Sequence, residues 1–371
     1  MKSTRSFSYL ALALAAFAFS ATAQSSHPLP RRPNIILIVA NTMSAGDLSC
    51  YGQTLFQTPN LDKLAAGGIR FTHYSAGAPA GSPARAALLT GKDISLGTND
   101  VTLVPNDITI AELLKNSGYF TSLIGEWDLG DQGSSGAPWL KGFNEFAGYF
   151  NYNDAADPYA QSIWRYECNP VHTDLQAYNG TEQVYANAGG QKVQYIPDWL
   201  TTLSMTFVKK REPDQFNHYR PFFLMLSCLI PGNGNRTVPT DAPFSEEPWP
   251  QAEKNRAAMI SRLDNNIGQL LAQLDKIGQA SNTVIFFTSD TVPQKAGGID
   301  PKFFHENPST NSLLVPMIVS WPGKIPAGQV SDLNCSAQDF LPTAAGFGLV
   351  APPEKIDGTS FMPALFGKTK K

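Results

Sequence analysis

The chain has 371 residues, 42% hydrophobic and 11% aromatic, enough for a sizeable buried core and too apolar for intrinsic disorder. Its 28 Lys and Arg against 31 Asp and Glu give a formal charge of −3, and no basic stripe or block occurs, which argues against nucleic acid or an anionic membrane as a partner held by bulk charge. Four scattered cysteines, Cys50, Cys168, Cys228 and Cys335, are too few for a disulfide scaffold and lack zinc-cluster spacing.

In chain order, Lys2 and Arg5 precede an apolar run over residues 10–19 and then Ala21-Thr22-Ala23 before Gln24. Charged, apolar and small-residue regions in that order read as a signal peptide over residues 1–23, so an exported protein, periplasmic or extracellular, is expected. The apolar run is too short to span a bilayer and no second one follows, so no transmembrane segment is expected. Residues 24–32 read as a polar, proline-containing linker, and residues 33–371 as one domain.

Short β-branched or aromatic runs at 35–39, 120–124, 222–226, 284–287 and 315–319 predict buried parallel strands. Thr58-Pro59 predicts an N-cap and first-turn proline for a helix ending at Gly67-Gly68. Ser82-Pro83 predicts the same for a helix carrying Arg85. Thr109 and Glu112 form a capping box, and Ile260, Leu263, Ile267, Leu270, Leu271 and Leu274 predict a helix over about 257–278. Loops are expected at 131–137, 179–190 and 231–250, and Cys228 as a small core residue. Strands alternating with helices imply an α/β fold, a mainly parallel central sheet sandwiched by helices. Chemistry is then to be sought beyond the carboxyl ends of the strands.

Residues 81–91 read Gly-Ser-Pro-Ala-Arg-Ala-Ala-Leu-Leu-Thr-Gly. Other blocks follow in a fixed order: Pro33-Asn34-Ile35-Ile36-Leu37-Ile38-Val39, Gly46-Asp47-Leu48-Ser49, Thr58-Pro59-Asn60-Leu61-Asp62-Lys63-Leu64-Ala65, Pro221-Phe222-Phe223-Leu224, Phe287-Thr288-Ser289-Asp290, Val315-Pro316-Met317-Ile318-Val319, Trp321-Pro322-Gly323-Lys324 and Asp357-Gly358-Thr359-Ser360. Together they resemble the sulfatase branch of the alkaline-phosphatase-like superfamily, from about Pro33 to Lys368. The resemblance implies that fold, a formylglycine nucleophile in Cys-x-Pro-Ser-Arg, a divalent cation, usually calcium, and residues that hold a sulfate ester.

The chemistry-bearing positions depart from that pattern. Gly81 stands where the family has the cysteine or serine that becomes formylglycine, which leaves no nucleophile. The paired metal-binding aspartates after the first strand are Asn41 and Thr42. Asp290 is retained in Ser-Asp-Asn-Gly, whereas the asparagine is Thr291. In Gly125-Glu126-Trp127-Asp128-Leu129-Gly130 the family's lysine and histidine have become Glu126 and Asp128, and the histidine of Pro-His is Gly232 after Pro231. The segment with a second active-site lysine is expected to be deleted around residues 307–312. The family continues past Asp-Gly-x-Ser into a small C-terminal subdomain; this sequence stops at Lys371, so the subdomain is expected to be missing.

Loss confined to strand ends, with cores and caps intact, points to a kept fold and a dropped activity: a pseudo-sulfatase with a carbohydrate- or protein-binding role. A sulfuric-ester or phosphoester hydrolase with an atypical site is the alternative. Arg85 is expected to pair with Asp290, whose buried charge needs a partner, or else to contact ligand. Glu126 and Asp128 read either as surface carboxylates or as the walls of an acidic pocket. No cofactor is expected, calcium being the metal if one is retained, and a repurposed cation site from Asn41, Glu126, Asp128 and Asp290 stays open. Ser82 is accounted for as a cap. The aromatic stretch 143–166, with Trp164, reads as core packing or as a sugar-stacking surface.

Overall fold

The computed structural model describes residues 32–78, 81–94, 100–169, 172, 175–213, 220–232, 237–293 and 314–367. The expected signal peptide and the 307–312 segment lie outside the described residues, as does all but Arg32 of the linker. From Arg32 onward the chain is one unit. Its twelve strands, among the described residues, are β1 (Asn34–Asn41), β2 (Ile69–Phe71), β3 (Tyr74–Ser75), β4 (Phe120–Glu126), β5 (Glu145–Tyr149), β6 (Ser162–Cys168), β7 (Gln176–Gln183), β8 (Phe222–Pro231), β9 (Thr283–Ser289), β10 (Met317–Ser320), β11 (Gln329–Ser331) and β12 (Cys335–Ser336). Ten of them form one sheet in the order β11-β2-β10-β9-β1-β8-β4-β5-β6-β7, and β3 pairs with β12 separately.

β9, β1, β8, β4 and β5 run parallel at the centre. β1 explains why. Asn-Ile-Ile-Leu-Ile-Val-Ala-Asn is buried at every position, as a strand covered on both faces must be. Ile35, Leu37 and Val39 enter one apolar cluster, and Ile36, Ile38 and Ala40 the other. The first cluster is closed by α2 (Gly81–Thr90), α3 (Ile110–Asn116), α6 (Phe340–Gly348) and α7 (Met362–Leu365). The second is closed by α1 (Pro59–Ala66), α4 (Ile196–Lys209) and α5 (Gln251–Lys276). The expected α/β sandwich is therefore present. No helix among the described residues is long and apolar enough to cross a membrane.

Several local expectations need correction. The run at 315–319 yields β10, which is antiparallel to β9 rather than parallel. The stretch 179–190, expected as a loop, contributes to β7, a polar edge strand whose mostly exposed side chains hide its period. α5 begins at Gln251 rather than near 257, because its first turns bury Glu253 and Arg256 instead of apolar side chains. The box of Thr109 and Glu112 is formed as expected. Thr58, by contrast, makes no side-chain cap bond to α1; the Asp264 carboxylate of α5 accepts from the amides of Asn60 and Leu61 instead. All four cysteines are free thiols, and Cys228 is buried in the second cluster.

Candidate functional site

The carboxyl ends of β1, β4, β8 and β9 converge with the first turns of α2, and six of the singled-out side chains meet there. Arg85, 1% exposed, points from α2 into the strand ends. Its Nη1 donates to Glu126 Oε1 at 2.8 Å and to Asp128 Oδ2 at 3.3 Å, and its Nη2 donates to Asp290 Oδ2 at 2.6 Å. The Asn41 amide closes the ring, Nδ2 donating to Glu126 Oε2 at 3.2 Å while Oδ1 accepts the Thr42 hydroxyl at 3.1 Å. The Thr42 amide donates to Asp290 Oδ1 at 2.8 Å.

Three carboxylates thus surround one guanidinium in a nearly dry site. Burial by itself would loosen the Arg85 proton, but the charges of Glu126, Asp290 and Asp128 outweigh it and hold the guanidinium more firmly protonated than usual. Burial pushes the Asp290 carboxyl up, only partly offset by Arg85 and the Thr42 amide. Burial also raises Asp128, to about 6, against the pull of Arg85 and with help from Glu126. Both shifts have the same main cause: burial removes the water that would stabilise the ionised carboxyl, and the nearby Glu126 charge adds to it.

Two of the three non-glycine residues with positive φ among the described residues, Thr42 at 59° and Asp128 at 60°, stand in this site. Such backbone costs about 1–2 kcal/mol and persists only where surroundings over-determine it. At Asp128 those surroundings are visible: its amide donates to Phe150 O, and its carbonyl accepts the Ser82 hydroxyl at 2.8 Å. Ser82 lies inside α2, and its hydroxyl also accepts from the Val101 amide at 2.9 Å. The expected capping role is therefore replaced by a tether between α2 and two loops, and the oxygen is committed.

Gly81 opens α2. A Cβ built on it would lie 3.3 Å from Asp290 Oδ2 and 3.8 Å from Arg85 Nη1. The position at which the resemblance expects the nucleophile thus faces the charged ring directly. Gly232 is bonded through its amide to Asn41 O. Thr291, where the resemblance expects a ligand position, is half-buried beside the site, its carbonyl accepting from the Met43 amide.

The family profile described as Sulfatase matches residues 33–348. The chain belongs to the sulfatase family. It is 31% identical to arylsulfatase A of Homo sapiens, over 92% of this chain and 69% of that protein. It is 30% identical to N-acetylgalactosamine-6-sulfatase of Canis lupus familiaris, over 91% of this chain and 67% of the relative. Among solved structures it superposes on Ps i-CgsB in complex with k-i-k-neocarrahexaose with a TM-score of 0.72 and 28% identity, covering 91% of this chain and 77% of that one.

Against the sulfatase pattern, the structure brings Gly81, Arg85, Glu126, Asp128, Asp290, Asn41 and Thr42 together and leaves Trp164 out. Trp164 pairs with Gly148 across β5 and β6, on the far side of β5 from β4. Its ring packs on Phe150 at 5.3 Å and its Nε1 donates to Asn179. Sequence reasoning missed Arg256 altogether. From α5 it donates to the carbonyls of Thr42 and Gly232 and pairs with the Asp47 carboxylate at 2.8 Å, clamping the ends of β1 and β8. Asp47 in its Gly-Asp block was the available signal, since a buried carboxylate requires a cation.

Proposed function

We propose that this sulfatase-family protein does not hydrolyse sulfate esters and that its retained scaffold serves binding, of a carbohydrate or a protein. The observation that carries this reading is the ring around Arg85. The position that the family gives to formylglycine is Gly81, without any side chain, and it faces Asp290 and Arg85. Glu126 and Asp128 stand where the resemblance expects cationic contacts to the ester, so the site repels sulfate and phosphate groups. What a ligand would meet is Asp128, with 21% of its side chain exposed, and the exposed ring of Tyr152, whose amide donates to that carboxylate. A neutral or cationic group suits this mouth. Ps i-CgsB is a neighbour solved with an oligosaccharide, which favours a glycan over other small ligands. The residue order at 1–23 supports export.

The test is turnover of an aryl sulfate and an aryl phosphate by the purified mature chain with added calcium. No turnover is expected. Gly81→Cys, matured by the formylglycine-forming machinery, is expected to stay inactive too, because the sulfate contacts are lost as well. Turnover that Arg85→Ala or Asp290→Asn abolishes would instead establish the hydrolase reading, in which the Asp128 carboxyl, raised to about 6, supplies the acid.

A further inference from the structure

A divalent cation does not fit this site. Calcium needs six to eight oxygens aimed at one centre, and here the donors aim elsewhere. Both oxygens of Asp290 are committed, Oδ1 to the Thr42 amide and Oδ2 to Arg85. The oxygen of the Asn41 amide accepts from Thr42, and its nitrogen holds Glu126. Among the described residues no group of three or more His, Cys, Asp or Glu side chains is arranged to hold a metal ion. Thr42 contributes only a neutral hydroxyl.

What occupies the focus of these groups is the Arg85 guanidinium, buried, with two carboxylates at 2.8 and 2.6 Å and a third at 3.3 Å. A planar fork with fixed donors can satisfy several carboxylates at once where a compact ion would need a full oxygen shell. We infer that Arg85 is the resident cation of this protein: a covalently attached positive charge holds the strand ends together in place of the divalent ion that the family pattern implies. The neutral residues at Asn41 and Thr42 then make sense, since two further aspartates would overload a site that has one positive charge and already three carboxylates. The inference concerns what holds the site together and stands whether or not the site turns over a substrate.

It predicts a conversion. Removing the guanidinium frees one oxygen on each of three carboxylates, and a divalent ion that draws them together, with water completing its shell, should then supply the missing charge. Thermal melts of the mature chain and of Arg85→Gln, each in a chelator and across a calcium series, test this. The wild type should melt at the same temperature throughout and give no heat with calcium in calorimetry. Arg85→Gln should melt lower in chelator and rise by about 5 °C at saturating calcium, as a ligand that binds only the folded state requires. A calcium-dependent wild type would overturn the inference, as would an Arg85→Gln protein that folds but ignores calcium. If Arg85→Gln does not fold, the neutralised triple variant Arg85→Gln, Glu126→Gln, Asp290→Asn decides. It should fold and be indifferent to calcium; failure equal to that of the single variant would make the role of Arg85 steric and overturn the inference.

Discussion

Of the four charged side chains in the ring, Asp128 alone meets solvent, and its carboxyl sits at about 6 against an ordinary 3.8. The sign of the consequence follows from proton counting. Below about pH 4 the group is neutral folded and unfolded; between about 4 and 6 the unfolded chain releases a proton that the folded chain keeps, so stability falls as pH rises through that window. Urea titrations at a series of pH values should show wild-type stability declining from pH 4 to 6, with a shallower decline in Asp128→Asn; identical slopes would remove Asp128 as a source. Asn is the chosen substitute because it tolerates the left-handed backbone at φ 60°. At this scale the pairing of Arg85 with Asp290 was legible, since a carboxylate at a buried strand end needs a cation. The tether from Ser82 was not, because it depends on where the loops at 101 and 128 pass over α2.

At the scale of elements, the contrast between α3 and α1 explains what local sequence reveals. The cap of α3 is built from Thr109 and Glu112, three positions apart, and is legible as a motif. The cap of α1 comes from Asp264, 204 positions from Asn60, and only tertiary structure supplies it. Asp264 replaces the expected Thr58 cap, while Thr58 turns its hydroxyl to Ser49 and Asp62. Asp264→Ala should therefore cost about 1–2 kcal/mol by uncapping a helix from a distance, read as a lower urea midpoint with an unchanged slope. A loss below a few tenths of a kcal/mol would mean that α1 does not depend on this contact. The other misread elements share the same physics. β7 is an edge strand with no apolar alternation to see, and the direction of β10 follows from its pairing with β9 and β2, not from its own residues.

For the whole molecule, the architecture was legible because the central strands are unbroken apolar runs, a pattern that only a sheet covered on both faces explains. Asn41, Glu126 and Asp290 were legible as candidate site residues at the strand ends, through the family frame. Their geometry was not: which oxygen of Asp290 meets Thr42, and that Arg256 ties β1 to β8 from α5, emerges only when α2 and α5 have packed onto opposite faces. β1 gives this arrangement a further consequence. It is hydrogen-bonded in register to β8 on one side and β9 on the other, with Leu37 opposite both Met225 and Phe286, and its side chains feed both apolar layers. No partial opening frees such a strand, so its amide protons should exchange with deuterated solvent only when the entire domain unfolds. Since β1 ends on Asn41, beside the ring around Arg85, the slowest-exchanging amides of the chain become a gauge of that ring. Any change in its charge should speed or slow exchange at Leu37, on the strand that ends there.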